Sequence, residues 1–127
     1  MKNNGIIIRQ SQLPVRETLD KIADVLSKNG ATIYVRINQQ AEAAEAGIQL
    51  NHLEFILFGN PKRGGLVMKE NPVAALDLPL KIMAWQDDEN KTWVYYNAAD
   101  YLQTRFSLSA EATALVDIDA LVTKILQ

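Results

Sequence analysis

Apolar residues recur at two different periods along this 127-residue chain. Between Pro14 and Gly30, Val15, Leu19, Ile22, Ala23 and Leu26 fall three or four positions apart, which lays one apolar stripe along a helix. Pro14 suits the first turn, where its missing N–H costs no hydrogen bond. Asn29-Gly30 supplies two residues that tolerate a left-handed stop. Ahead of this helix, GIIIRQ (5–10) is β-branched and reads as a strand; behind it, ATIYVRIN (31–38) alternates and reads as a second. LEFILFGN (53–60) is a nearly continuous apolar run, which predicts a third strand at a central position. LPLKIMAWQ and TWVYYN flank the polar loop DDENK (87–91) and read together as a hairpin.

The remaining segments predict helices. QQAEAAEAG makes a short one ended by Gly47, and residues 64–77 make one or two short turns interrupted at Asn71-Pro72. AADYLQTRF is another short helix. Ser109 then caps a single C-terminal helix over 110–126, with Leu115, Ile118, Val122 and Ile125 on one stripe. The expected fold is α+β: a single two-layer domain over residues 1–127 in β-α-β-β-β-β-α order. Its mostly antiparallel sheet is covered on one face by the two main helices, 14–29 and 110–126, with short extra helices.

Composition narrows the function classes. Apolar residues are 48% and charged residues 22%, which is globular usage. No apolar run is long enough to span a bilayer, and the N-terminus has only Ile6-Ile7-Ile8 before an arginine, so no membrane partner and a cytoplasmic location are expected. The absence of cysteine removes disulfides, thiolate nucleophiles and cysteine metal sites. The net charge of −2, without any Lys/Arg cluster, argues against nucleic acid.

The residues FGNPKRGG (58–65) raise the question of a site. Gly59 to Gly64 spells the front half of a phosphate loop, but Gly65-Leu66 stands where lysine and a hydroxyl belong, and Pro61 removes one anion-binding N–H. A weaker reading survives, in which Lys62, Arg63 and free N–H groups hold a small anion. The competing reading is a strand-to-helix corner with two solvated cations. His52, the single histidine, and Glu54 share a strand face, as a base with its orienting carboxylate would. With no second histidine they make a poor metal site, so no metal and no cofactor are expected. No nucleophile elbow exists, and no catalytic residue is assigned. Trp93 and Tyr95 share one face of the hairpin while Tyr96 takes the other, so the face away from the helices suits a dimer interface or a pocket wall.

The stretch LEFILFGNPKRGGLVMKENPVAALDLPLKIMAWQDDENKTWVYYN resembles the bacterial and archaeal family called domain of unknown function 302, through FGNP, then NP-x-AALDLPLK, a tryptophan-bearing strand and a Tyr-Asn end. The resemblance runs over about residues 13–107. It implies the same β-α-β-β-β-β-α unit and a homodimer, and no established activity. Members often carry Thr-Pro after the loop glycine, where this chain has Gly65-Leu66, so no loop hydroxyl is expected. The functional expectation is a homodimeric, non-enzymatic module that binds a small ligand or an anion, with Gly59, Asn60, Lys62, Arg63, Gly64, Tyr96 and Asn97 as the site and a small anionic ligand as the partner. The alternatives are an enzyme using His52 with a carboxylate, and a structural or protein-interaction domain.

Overall fold

In the computed structural model the strands are β1 (Lys2–Asn3), β2 (Ile6–Ser11), β3 (Thr32–Asn38), β4 (Leu53–Gly59), β5 (Leu80–Gln86) and β6 (Thr92–Asn97). The helices are α1 (Val15–Lys28), α2 (Gln39–Glu45), α3 (Pro61–Glu70), α4 (Ala99–Phe106), α5 (Ala110–Leu115) and α6 (Asp119–Leu126), with a 3-10 segment over Pro72–Asp77. The structure describes residues 2–127, so Met1, the first residue of the expected span, lies outside it. The strands form one antiparallel sheet in the order β1-β2-β6-β5-β4-β3. The β-α-β-β-β-β-α order therefore holds, with β1 as a two-residue addition at one edge.

Alternation along the strands decides which face is covered. Glu54, Ile56 and Phe58 of β4, Ile82 and Ala84 of β5, and Val94 and Tyr96 of β6 are buried on one face. They pack with Val15, Leu19, Ile22 and Leu26 of α1 and Val122 and Ile125 of α6. Each fully buried Leu or Ile side chain contributes about 1.5–3 kcal/mol of transfer free energy, so this layer dominates the stability. At the β2–α1 corner, the Thr18 hydroxyl donates to the Leu13 carbonyl, which leaves the Ser11 hydroxyl to donate to Thr18 Oγ1 at 2.6 Å. A second cluster sits at the far end of the strands. There Val67, Leu102, Phe106, Leu108, Ala112 and Val116 come together from α3, α4, α5 and their connections, and Leu80 packs against both clusters. Gly5 turns β1 into β2 at φ +80, and a Cβ there would lie 2.7 Å from the Tyr101 ring, so only glycine fits.

Three local expectations need correction. The single helix expected over 110–126 is two helices, broken at Val116-Asp117-Ile118. The Asp117 carboxylate accepts the Asp119 N–H and starts a new turn, which aims Asp119 at Arg9 of β2. The helix expected from the glycines at 64 starts earlier, at Pro61, whose fixed φ suits a first position. The clean alternation of 31–38 is interrupted by a bulge between Ile33 and Val35, at the sheet edge where bulges are tolerated.

Candidate functional site

The FGNPKRGG corner carries its own cap. The Asn60 side chain accepts from the Lys62 N–H at 3.0 Å and the Arg63 N–H at 3.2 Å, and the Gly64 N–H donates to the Asn60 carbonyl at 2.8 Å. Pro61 has no N–H, so the first turn of α3 offers no free donors to an anion. This corrects the expectation that the loop's N–H groups are available. Arg63 also has a partner. Its Nε donates to the Leu115 carbonyl at 3.3 Å, and its Nη2 donates to the Leu115 and Ala114 carbonyls at 3.3 and 3.4 Å. It lies across the C-terminal end of α5, where a cation opposes the negative end of the helix dipole.

Both glycines, 64 and 65, lie within α3 and so have no left-handed backbone that would call for glycine. A Cβ on Gly65 would meet open space, and one on Gly64 would only approach the end of the Met68 side chain at 4.0 Å. Two glycines inside a helix cost stability without a steric reason. What Gly64 does is line a cavity.

That cavity measures about 370 Å³ and lies where the two apolar clusters meet. Its walls are mostly aliphatic and aromatic, with Leu26, Phe58, Met68, Leu80 and Leu121 among them, and Asn29, Asn60 and Arg63 supply polar groups. Of the seven residues expected to bind a ligand, Gly59, Asn60, Arg63 and Gly64 line it. Lys62 is exposed and outside the lining. Asn97 lines a neighbouring cleft with Leu76, Asp77 and Lys81. Tyr96 is buried under α6, where its hydroxyl donates to Asp119 at 2.6 Å. Asn71 caps the 3-10 segment and donates to the Phe106 carbonyl.

The Tyr96 contact belongs to a structural network. Arg9 Nη2 reaches both Asp119 oxygens at 3.0 and 3.1 Å, while Arg9 Nε is buried without a partner. Burial, then the hydrogen bond to Asp119 and the charge of that carboxylate, pushes the Tyr96 hydroxyl far above its ordinary range. For Asp119, burial acts upward, but the Tyr96 hydroxyl and the Arg9 guanidinium outweigh it and hold the carboxyl below the usual carboxylate range.

At the opposite end of β4, His52 Nε2 lies 2.6 Å from Glu54 Oε2, so the sequence pair does meet. Glu54 is only 6% exposed, and its other oxygen accepts from Arg36 Nε at 3.1 Å. Arg36 continues to the Asp20 carboxylate and the Arg16 carbonyl. Sequence reasoning missed Arg36, because only the register of β3 on β4 shows that it shares a face with Glu54. His52 also borders two open polar clefts, one with Arg16, Arg36 and Asn38, the other with Gln40, Asn51 and Asp88. Among the described residues, no three His, Asp or Glu side chains gather as metal ligands would.

The polar loop 87–91 is held by its own first residue. Asp87 accepts from the Trp93 indole N–H at 2.8 Å and from the Glu89 and Lys91 N–H groups, which hold its carboxyl below the usual range, the Trp93 bond most of all.

Comparison with known proteins places this geometry. The model of the family described as domain of unknown function DUF302 matches residues 7–125. Proteins named fluoride-specific ion channel FluC 1 from Brucella suis and from Brucella abortus are each 34% identical over 121 residues, 95% of this chain. The match covers 47% and 44% of those proteins, so the chain spans about half the length of the curated relatives it matches. A solved structure of an uncharacterized conserved DUF302 protein from Bacillus stearothermophilus superposes with a TM-score of 0.82 over 96% of this chain and 95% of that one, at 17% identity. No helix among the described residues is long and apolar enough to cross a membrane.

Proposed function

The chain belongs to the DUF302 family, and from that premise we propose that it is a homodimeric module binding a small, largely apolar ligand in the cavity beside the 59–65 loop. One observation carries this reading: a cavity of about 370 Å³ with mostly apolar walls and a few polar side chains on its lining, the usual form of a small-molecule site. Gly64 supports it, because it lines the cavity and a Cβ there would approach Met68 of the same lining. The anionic part of the reading narrows to Arg63, because the backbone donors of the loop are already used.

The name of the Brucella relatives suggests a place beside a fluoride channel. A strongly hydrated small anion needs converging donors in place of its water, and the cavity walls do not offer them. The link is therefore to a domain working alongside a channel, with a ligand other than the bare ion.

The dimer rests on the other face of the sheet. Outward positions of an antiparallel sheet with one covered face are ordinarily polar. Here Leu53, Phe55, Met83, Trp85, Trp93 and Tyr95 are half-buried neighbours on that face, with Trp85 directly opposite Trp93. Lys81 lies at one end of this patch, opposite Leu57 and over the Phe55 ring at 4.4 Å, so a second copy can meet the uncharged centre around Met83 and Trp85.

Heteronuclear NMR with a panel of small apolar ligands tests the cavity. Shifts should cluster at Leu26, Phe58, Leu80 and Leu121, and Gly64→Phe should abolish them; shifts elsewhere would sink the reading. Sedimentation velocity tests the dimer: wild type should run as a dimer and Tyr95→Glu as a monomer, and a wild-type monomer across micromolar concentrations would end that part.

A second reading is favoured by the 2.6 Å His52–Glu54 contact. A buried carboxylate that holds one imidazole nitrogen leaves the other for proton transfer at the polar clefts. A hydrolase and isomerase substrate panel with His52→Gln decides it, because activity retained by the variant removes His52 from any chemistry.

A further inference from the structure

Arg63 is held by weak partners at the edge of an apolar space. Its three bonds to the Ala114 and Leu115 carbonyls are 3.3–3.4 Å long, against about 2.9–3.0 Å for an ordinary N–H···O bond. They leave from Nε and Nη2, and Nη1 makes none of them. Neutral carbonyls at that distance compete poorly with a carboxylate, which binds guanidinium through two short, charge-assisted bonds. The cavity that Arg63 lines has room for about a dozen water-sized units, at roughly 30 Å³ each. Its remaining walls, Leu26, Phe58, Met68, Leu80 and Leu121, are suited to hydrocarbon.

We infer that the cavity takes a monocarboxylate with an unbranched or aromatic apolar body of about ten non-hydrogen atoms, its carboxylate on the Arg63 guanidinium and its body between Leu26, Phe58 and Leu121. This rests on the cavity being a ligand site and adds the class of the ligand. Asn29 and Asn60 sit on the same lining. The Asn29 amide nitrogen is committed to the Val25 carbonyl, and Asn60 Oδ1 to the loop N–H groups, so neither supplies a charge that could replace Arg63. Asp117 is the carboxylate on the lining and opposes a bound anion. It is exposed, and its Oδ1 accepts from the Asp119 N–H. An asparagine at 117 would keep that acceptor and remove the opposing charge.

Isothermal titration at low ionic strength with octanoate, 1-octanol and acetate tests the inference. Octanoate should bind about tenfold or more tighter than octanol, and acetate weakly. Arg63→Gln should bring octanoate down to the level of octanol and leave octanol unchanged, while Asp117→Asn should tighten octanoate a few-fold. Equal affinity for octanoate and octanol in the wild type would overturn the carboxylate while leaving the cavity as a ligand site. Acetate binding as tightly as octanoate would overturn it too, because the ion would then be using Arg63 without the cavity. Binding of none of the three would remove both this inference and the ligand reading beneath it. Should Arg63→Gln lose octanol as well, the cavity has closed in that variant and Arg63→Lys decides. A preference for octanoate retained there supports the carboxylate, and its disappearance overturns it.

Discussion

Strand β4 ends in two different environments. At its start, Glu54 is buried with a charge, and every oxygen of that charge is answered: Arg36 holds one, His52 the other, and Asp20 holds Arg36 in turn. At its finish, Phe58 and Gly59 open onto an apolar space with nothing of comparable strength in it. The first end has chemistry and little need of a partner; the second has room and few commitments. Charge density and titratable groups draw attention to the His52 end, yet a satisfied network costs free energy to disturb. The unfilled volume and the costly glycines are at the other end, which is why the ligand is placed there.

Removing Arg36 strikes the committed end hardest. Arg36→Met leaves the Glu54 carboxylate buried with one partner, and the protein should lose about 2–3 kcal/mol in urea unfolding, less than for a fully enclosed pair because Arg36 keeps 29% of its side chain in water. An unchanged unfolding midpoint would show that water reaches Glu54 freely, and the contrast between the two ends would weaken.

At the open end the expected costs are smaller. Asn60→Ala removes an acceptor shared by two N–H groups of α3 and should cost about 1 kcal/mol, the usual price of a helix cap. Gly65→Ala should act in the other direction. The position is helical, has no left-handed backbone and faces open space, so thermal unfolding should rise by the equivalent of about 0.5–1 kcal/mol. A loss of stability there would mean that the glycine serves the fold after all, although it lies outside the cavity lining.

Local pattern made most of this fold legible, and contacts between distant segments account for what it left out. The stripe from Val15 to Leu26 specifies α1, and period-two alternation puts Tyr95 and Tyr96 on opposite faces of the hairpin, though only the packing of the helices shows that Tyr96 is the inward one. The break after Leu115 was hidden because Ile118, Val122 and Ile125 continue the helical spacing across it. What interrupts the helix is the Asp117 turn and the pull of Arg9 on Asp119, 110 residues apart in sequence. Arg36 was silent for the same reason: its partners Asp20 and Glu54 are sixteen and eighteen residues away. The loop was visible as a site by composition, but the use of its N–H groups by Asn60 and of Arg63 by α5 depends on geometry that composition does not contain.

Arg63→Gln has the smallest expected effect on stability and bears most directly on the comparison. If Arg63 were there to cap α5, its loss would release two carbonyls and a favourable dipole contact. The bonds are long and the side chain is exposed, however, so the cost in urea unfolding should not exceed about 0.5 kcal/mol. A residue that matters little to folding, on the lining of a cavity beside a glycine, Gly64, that the helix does not require, is free to be selected for what it binds. A cost above about 1 kcal/mol would reverse that logic. The cation would then belong to the corner, as Arg36 belongs to Glu54, and the two ends of β4 would differ in polarity but not in purpose.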